Sequence, residues 1–143
     1  MHTRSLNHST YKVQYHIVWG TRYRRKWLKP YVLTALKKNL YETCKKYPTL
    51  FIQTVNSDDD HVHLQMEIPP NIAISDAVQK LKSISSQAIR KQFKFIHEMY
   101  LEKDGIWSVG YFVSTIGLNE AQIKRYIEWQ GKREEKPQTT RLF

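Results

Sequence analysis

Between Tyr11 and Trp19 the chain places an apolar or aromatic side chain at every second position. Tyr11, Val13, Tyr15, Ile17 and Trp19 alternate with Lys12, Gln14 and His16. A period of two predicts a strand. The period then lengthens. Pro30 suits a first helical turn, and Val32, Leu33, Leu36 and Leu40 recur at helical spacing, predicting a helix over 30–46 that Pro48 stops. A second strand is predicted over 50–55, and Asn56-Ser57-Asp58-Asp59-Asp60 reads as a turn, because short polar side chains bond locally to the backbone. His61 to Ile68 alternates cleanly, with Val62, Leu64, Met66 and Ile68 on one side and His61, His63, Gln65 and Glu67 on the other. Ser75 is the expected N-cap of a long helix with Val78, Leu81, Ile84, Ser85, Ala88 and Ile89 on its apolar face. A fourth strand is predicted over 107–116, broken by Gly117, and a last helix from Asn119 to about Gln130.

Strand, helix, strand, strand, helix, strand and a closing helix is the order of two split βαβ units. It predicts an α+β, ferredoxin-like βαββαβ sandwich with an antiparallel sheet and an added C-terminal helix. Right-handed crossovers put both main helices on one face of the sheet. The other face is expected to stay open and polar, carrying His61, His63, Gln65 and Glu67, with the first and third strands as central neighbours.

Composition sharpens this picture. The 143 residues suit one domain, with the charged and polar stretch from about 132 expected to be a mobile tail. Lys and Arg number 23 against 13 Asp and Glu, a net charge of +10, which points to a polyanionic partner such as nucleic acid. The single cysteine, Cys44, excludes an internal disulfide framework and a multi-cysteine zinc site. No signal-like start and no apolar run of membrane-spanning length is visible, so the expected setting is cytoplasmic.

The sharpest chemical feature is His61-Val62-His63. Two residues apart on a strand, these imidazoles face one way with Cα atoms about 6.5–7 Å apart, a spacing that can grip one metal ion. Two surface histidines on a polar sheet face would give the same pattern. Tyr126 and Gln130 stand four apart on the last helix and therefore on one side of it, where a phenol and a carboxamide could serve as nucleophile and third ligand. Tyr126 could equally join the apolar stripe of Ile123 and Ile127. His16, on the polar side of the first strand, is expected beside the histidine pair, and Asp60 could orient His61.

These segments together resemble the single-tyrosine HUH transposases of the insertion sequence 200/605 family. Tyr15-His16-Ile17-Val18-Trp19 with Tyr23-Arg24-Arg25 is similar to that family's opening strand and basic loop. Asp60-His61-Val62-His63-Leu64 resembles its HUH motif, Trp107 to Val113 its last strand, and Tyr126-Ile127-Glu128-Trp129-Gln130 its catalytic helix. The departures are Asp59, where many relatives carry proline, and Gln65, where many carry a second apolar residue. The resemblance implies metal binding by His61 and His63 completed by Gln130, with Mg²⁺ or Mn²⁺ as cofactor. It implies Tyr126 as the nucleophile that cleaves and rejoins single-stranded DNA through a 5′-phosphotyrosine. It also implies DNA hairpins at transposon ends as partner. Finally, it implies a homodimer whose composite sites join Tyr126 of one chain to the histidines of the other. Gly117, between the last strand and the helix, is a candidate hinge for such an exchange.

Candidate DNA contacts are Arg22, Arg24, Arg25 and Lys26 with Tyr23 and Trp27 interleaved, and Lys80, Lys82, Arg90 and Lys91 on the second helix. Two other functions fit the residues: a non-catalytic single-stranded nucleic-acid binding module on the same fold, and a metal-dependent phosphodiesterase using water.

Overall fold

The computed structural model describes residues 4–6, 9–11, 14–103, 105–115 and 124–130, at 4–6 and 9–11 by backbone alone. The proposed hinge Gly117 and the tail from 132 lie outside them. Two short strands, β1 (Arg4–Leu6) and β2 (Ser9–Tyr11), pair antiparallel as a separate ribbon. The main sheet contains β3 (Gln14–Gly20), β4 (Phe51–Ser57), β5 (His61–Glu67) and β6 (Phe112–Thr115) in the order β4-β5-β3-β6, every pair antiparallel. This is the expected ferredoxin-like sandwich, with the first and third main strands central.

Helices α1 (Pro30–Lys46) and α2 (Ile74–Gln92) bury Val32, Leu36, Leu40, Val78, Leu81 and Ile89 against Ile17, Trp19, Val62, Leu64 and Met66 in one apolar core. The fully buried large side chains each contribute about 1.5–3 kcal/mol of transfer free energy. A short helix α3 (Lys94–Met99) follows α2, anchored by buried Ile96. No helix of the described residues is long and apolar enough to cross a membrane.

The boundaries differ from the expected ones for identifiable reasons. Tyr11 belongs to the ribbon, so the first main strand begins at Gln14. β4 continues through Asn56 and Ser57 because they pair with His63 and Val62, which overrides their turn preference. The cap of α2 is Ala73, and Ser75 sits in the first turn. The fourth strand is shorter than predicted. Gly110 has φ 88°, and the carbonyls of Ser108 and Gly110 face the Lys82 ammonium at 2.7 and 2.8 Å, so regular pairing starts only at Phe112. Trp107 retains one isolated bridge, to Thr21.

The second sheet face is not wholly open. Helix α4 (124–130) packs on it through Tyr126 and Ile127, which cluster with Val18, Phe112 and Trp129. Glu67, expected on an exposed polar row, is fully buried. Cys44 on α1 is half-buried, and burial pushes its thiol up to about 11, which suits a packing residue rather than a nucleophile.

Candidate metal and nucleophile site

The β4–β5 turn fixes the histidines. Strand register sets His61 opposite Gly20 and His63 opposite Val18, so both imidazoles lie on the face that α4 partly covers. Asp60, in the turn, is 5% exposed. Its backbone carbonyl accepts from Thr21 N at 2.9 Å, and the neighbouring Asp59 carbonyl accepts from Leu28 N at 3.0 Å. Its carboxylate accepts at Oδ1 from His61 Nδ1 (2.7 Å) and at Oδ2 from Arg24 Nε and Nη2 (3.2 and 3.1 Å).

The loop that delivers Arg24 adopts an unfavourable backbone. Tyr23 and Arg24 have φ 61° and 53°, left-handed conformations that cost non-glycine residues about 1–3 kcal/mol each. Hydrogen bonds hold the loop in that shape. Arg24 N donates to Thr21 O, Arg22 N to Ile106 O, and Tyr100 Oη to Arg22 O. Strain and clamp together place a guanidinium against Asp60.

The consequence is chemical. With Nδ1–H donated to Asp60, His61 turns Nε2 toward Asp58 Oδ2, 2.9 Å away. The two imidazole centroids are 4.7 Å apart, and donor atoms of Asp58, His61 and His63 all lie within 4.8 Å of one another. Two imidazoles and a carboxylate form a donor set suited to a divalent cation. Burial would raise the Asp60 carboxyl, but the His61 hydrogen bond and the Arg24 charge outweigh it and hold the group below the usual carboxylate range. Burial lowers His63, and His61 and His16 push the same way against Asp58, which favours the neutral, lone-pair-bearing ring. His16 thus sits close enough for His63 to feel its charge.

Above the histidines lies a cavity of about 410 Å³, walled by Arg24, Asp58 and the pair, and on the α4 side by Lys124, Ile127 and Glu128. Tyr126 is not on that wall. It is 8% exposed and rests on Phe112 and Trp129, with ring centroids 5.8 and 6.3 Å away. Gln130 is buried and donates Nε2 to Val109 O.

Residues 9–130 match the family model for IS200-like transposases. The chain belongs to that family. The transposase of insertion sequence element IS200 from Salmonella typhimurium is 32% identical to it over 127 residues, spanning 89% of this chain and 82% of that protein. The ISDra2 transposase TnpA of Deinococcus radiodurans is 32% identical over 125 residues, spanning 87% and 88%. A crystal structure from Deinococcus radiodurans R1, assigned as a transposase, superposes with a TM-score of 0.77 at 28% identity, covering 89% of this chain and 97% of that one.

In this IS200-like transposase the structure groups Asp60, His61 and His63, with His16 near enough to His63 to interact electrostatically, while Tyr126 and Gln130 do not line the cavity over the pair. The third group it brings is Asp58, which the sequence reading left as a turn residue. The signal was present: a three-residue turn ending at His61 folds the residue at −3 back onto it, as the Asp58 N to His61 O bond of 3.0 Å records.

The basic candidates also divide. Arg22 donates to Gly105 O, Arg24 to Asp60 and Arg25 to Met99 O, while Lys26 is exposed. Tyr23 is half-buried, with the Arg25 guanidinium 5.4 Å from its ring. Trp27 is 2% exposed and donates to Tyr100 Oη, so it is a core residue and not the stacking platform expected. On α2, Lys82 and Arg90 hold backbone carbonyls and Lys80 lies 3.9 Å from the Tyr47 ring centroid, while Lys91 is exposed.

Proposed function

We propose that this transposase cleaves and rejoins single-stranded DNA at hairpin-bearing transposon ends, with Tyr126 as nucleophile and His61 and His63 holding Mg²⁺ or Mn²⁺. The observation that carries the reading is the Asp60-oriented histidine pair on the sheet face where the Tyr126 helix docks. When bound there, the divalent cation would supply positive charge to the scissile phosphate oxygens. Asp60 holds the His61 Nδ1 proton, so that Nε2 would be the atom free to ligate the cation. Tyr126 Oη forms a bond to phosphorus, the P–O3′ bond breaks with its electron pair leaving on O3′, and the phenolic proton ends on that oxygen. The products are a 5′-phosphotyrosine and a free 3′-OH. Rejoining reverses these steps, and one phosphodiester replaces another without nucleotide hydrolysis.

Tyr126 is packed against Phe112 in the described docking, so this chemistry requires α4 to dock differently. We place it on a second copy of the chain, in a homodimer whose sites each combine Tyr126 of one subunit with His61 and His63 of the other. Gln130 fits the role of a further oxygen ligand there, because its Oε1 is buried without a hydrogen-bond partner among the described residues. The buried phenol equally favours a second reading, a nucleic-acid binding module without catalysis. Incubating the protein with labelled single-stranded transposon ends and Mn²⁺, followed by denaturing electrophoresis, separates the two. A slow, protease-sensitive band that disappears in Tyr126→Phe is expected. DNA binding with no such band in the unsubstituted chain means the binding module.

A further inference from the structure

Among the described residues, the two most exposed aromatic side chains lie together, away from the histidine cavity. Tyr31, in the first turn of α1, is 58% exposed, and Phe95, at the start of α3, is 42% exposed. Phe93, between α2 and α3, joins them. The Tyr31–Phe93, Tyr31–Phe95 and Phe93–Phe95 centroid distances are 5.9, 6.5 and 6.2 Å. Such a cluster on a soluble surface marks an interaction site.

The fold holds it rigidly. Ile96 and Tyr100, fully buried, turn Phe95 outward. The Arg90 guanidinium ties the α2–α3 elbow by donating to Lys103 O at 2.8 Å and Tyr100 O at 3.2 Å. A basic groove of about 640 Å³ runs from the same elbow, lined by Arg90, Lys91, Lys94 and His97. Lys94 stands in sequence between the two phenylalanines, and its side chain is 89% exposed. Among the described residues, Glu98 pairs with it at 3.8 Å. Lys29, two residues before Tyr31, is exposed as well.

We infer that Tyr31, Phe93 and Phe95, with the Lys91–Lys94 groove, form a second single-stranded DNA surface, where bases stack on the rings and phosphates follow the groove. This rests on the proposed single-stranded substrate. Flat apolar rings beside exposed ammonium groups match a polyanion with exposed bases, whereas a duplex hides its bases. The platform lies on the helical layer, across the sheet from His61 and His63. It would therefore hold a part of the strand away from the phosphate being cleaved.

The test measures anisotropy of a fluorescein-labelled dT12 oligonucleotide with the full chain. Tyr31→Ala/Phe95→Ala should bind roughly tenfold more weakly, the size expected from losing base stacking, with Tyr31→Phe close to unsubstituted affinity. Both residues are exposed, and thermal melts check that the variant folds. Independently of any variant, dT12 bearing 5-iodouracil should photo-cross-link to peptides containing Tyr31 or Phe95. Unchanged affinity, or cross-links confined to other peptides, overturns the inference. So does a variant that loses self-association while keeping its dT12 affinity, which would make the patch a protein interface. The Tyr126 adduct is scored in parallel. Its absence in the unsubstituted chain refutes the proposed chemistry, while ring-dependent dT12 binding still supports the surface.

Discussion

His61 is held at Nδ1 by a carboxylate that Arg24 grips with two nitrogens and whose own backbone is tied to Thr21. Tyr126 rests on the rings of Phe112 and Trp129 at the end of a helix that meets the sheet through a small apolar cluster. The first region is preorganised: bonds from three segments converge on one turn, and strained backbone at Tyr23 and Arg24 is held in place by its neighbours. The second is a docked helix whose Tyr126 side chain is buried and does not line the cavity. Under the proposed mechanism, a site assembled this way would separate binding from commitment, because the histidine half would be ready while the tyrosine half would have to be delivered.

The sharpest way to break that contrast is complementation. Tyr126→Phe alone and His61→Ala/His63→Ala alone should each form no covalent adduct. Mixed under subunit exchange, they should recover it, because a heterodimer rebuilds one whole site from intact histidines of one chain and the phenol of the other. Continued inactivity with exchange confirmed would show that Tyr126 works within its own chain.

A smaller effect tests the preorganised half. Asp60→Asn keeps the size but removes the charge that Arg24 and His61 share. Mn²⁺ affinity by calorimetry should fall by about 10–100-fold, the usual cost of losing a ligand-orienting partner. Stability should respond with a definite sign. The native Asp60 carboxyl is held below its unfolded value, so its contribution is present above the unfolded pKa of about 3.9 and is lost as pH falls through the native value. Asp60→Asn should therefore be less stable than the unsubstituted chain at pH 7, with the gap closing on acidification below about pH 4. A gap that stays constant down to low pH would remove Asp60 from this role.

What was legible in the sequence follows the same division. Alternation in 61–68 and helical spacing in 30–46 depend on which side faces the core, and both elements appeared where the pattern put them, α1 to the residue. The histidine pair needed only strand periodicity. Features set by tertiary context were not legible. Nothing local in Arg24 separates a phosphate contact from a partner for Asp60, because both need an outward guanidinium, and only the left-handed turn decides. Trp27 read as a stacking ring since aromatic among arginines is ambiguous until burial is known. α3 is not visible in the sequence because six residues are too few to establish a helical period. The docking of Tyr126 turns on Val18 and Phe112, which belong to two other strands.

The smallest expected effect concerns how α4 is attached. Ile127 is 3% exposed, close to Val18, and would lie 3.8 Å from a Cβ placed at Gly20. Leu64 is 1% exposed in the main core. Truncating a buried aliphatic side chain to alanine costs about 2–5 kcal/mol when the element unfolds together with everything else. Leu64→Ala should show that full cost in global denaturation. Ile127→Ala removes a comparable side chain, but from a cluster separate from the main core. If α4 can leave the sheet while the rest stays folded, the substitution weakens only its docking. The midpoint of global unfolding should then move little, while amide hydrogens of 126–130 exchange faster at unchanged rates in β5. Equal global destabilisation by the two substitutions would join α4 to the core as one cooperative unit. The delivery of Tyr126 would then require unfolding on the scale of the whole domain, and the contrast between a fixed histidine half and a transferable tyrosine half would fail.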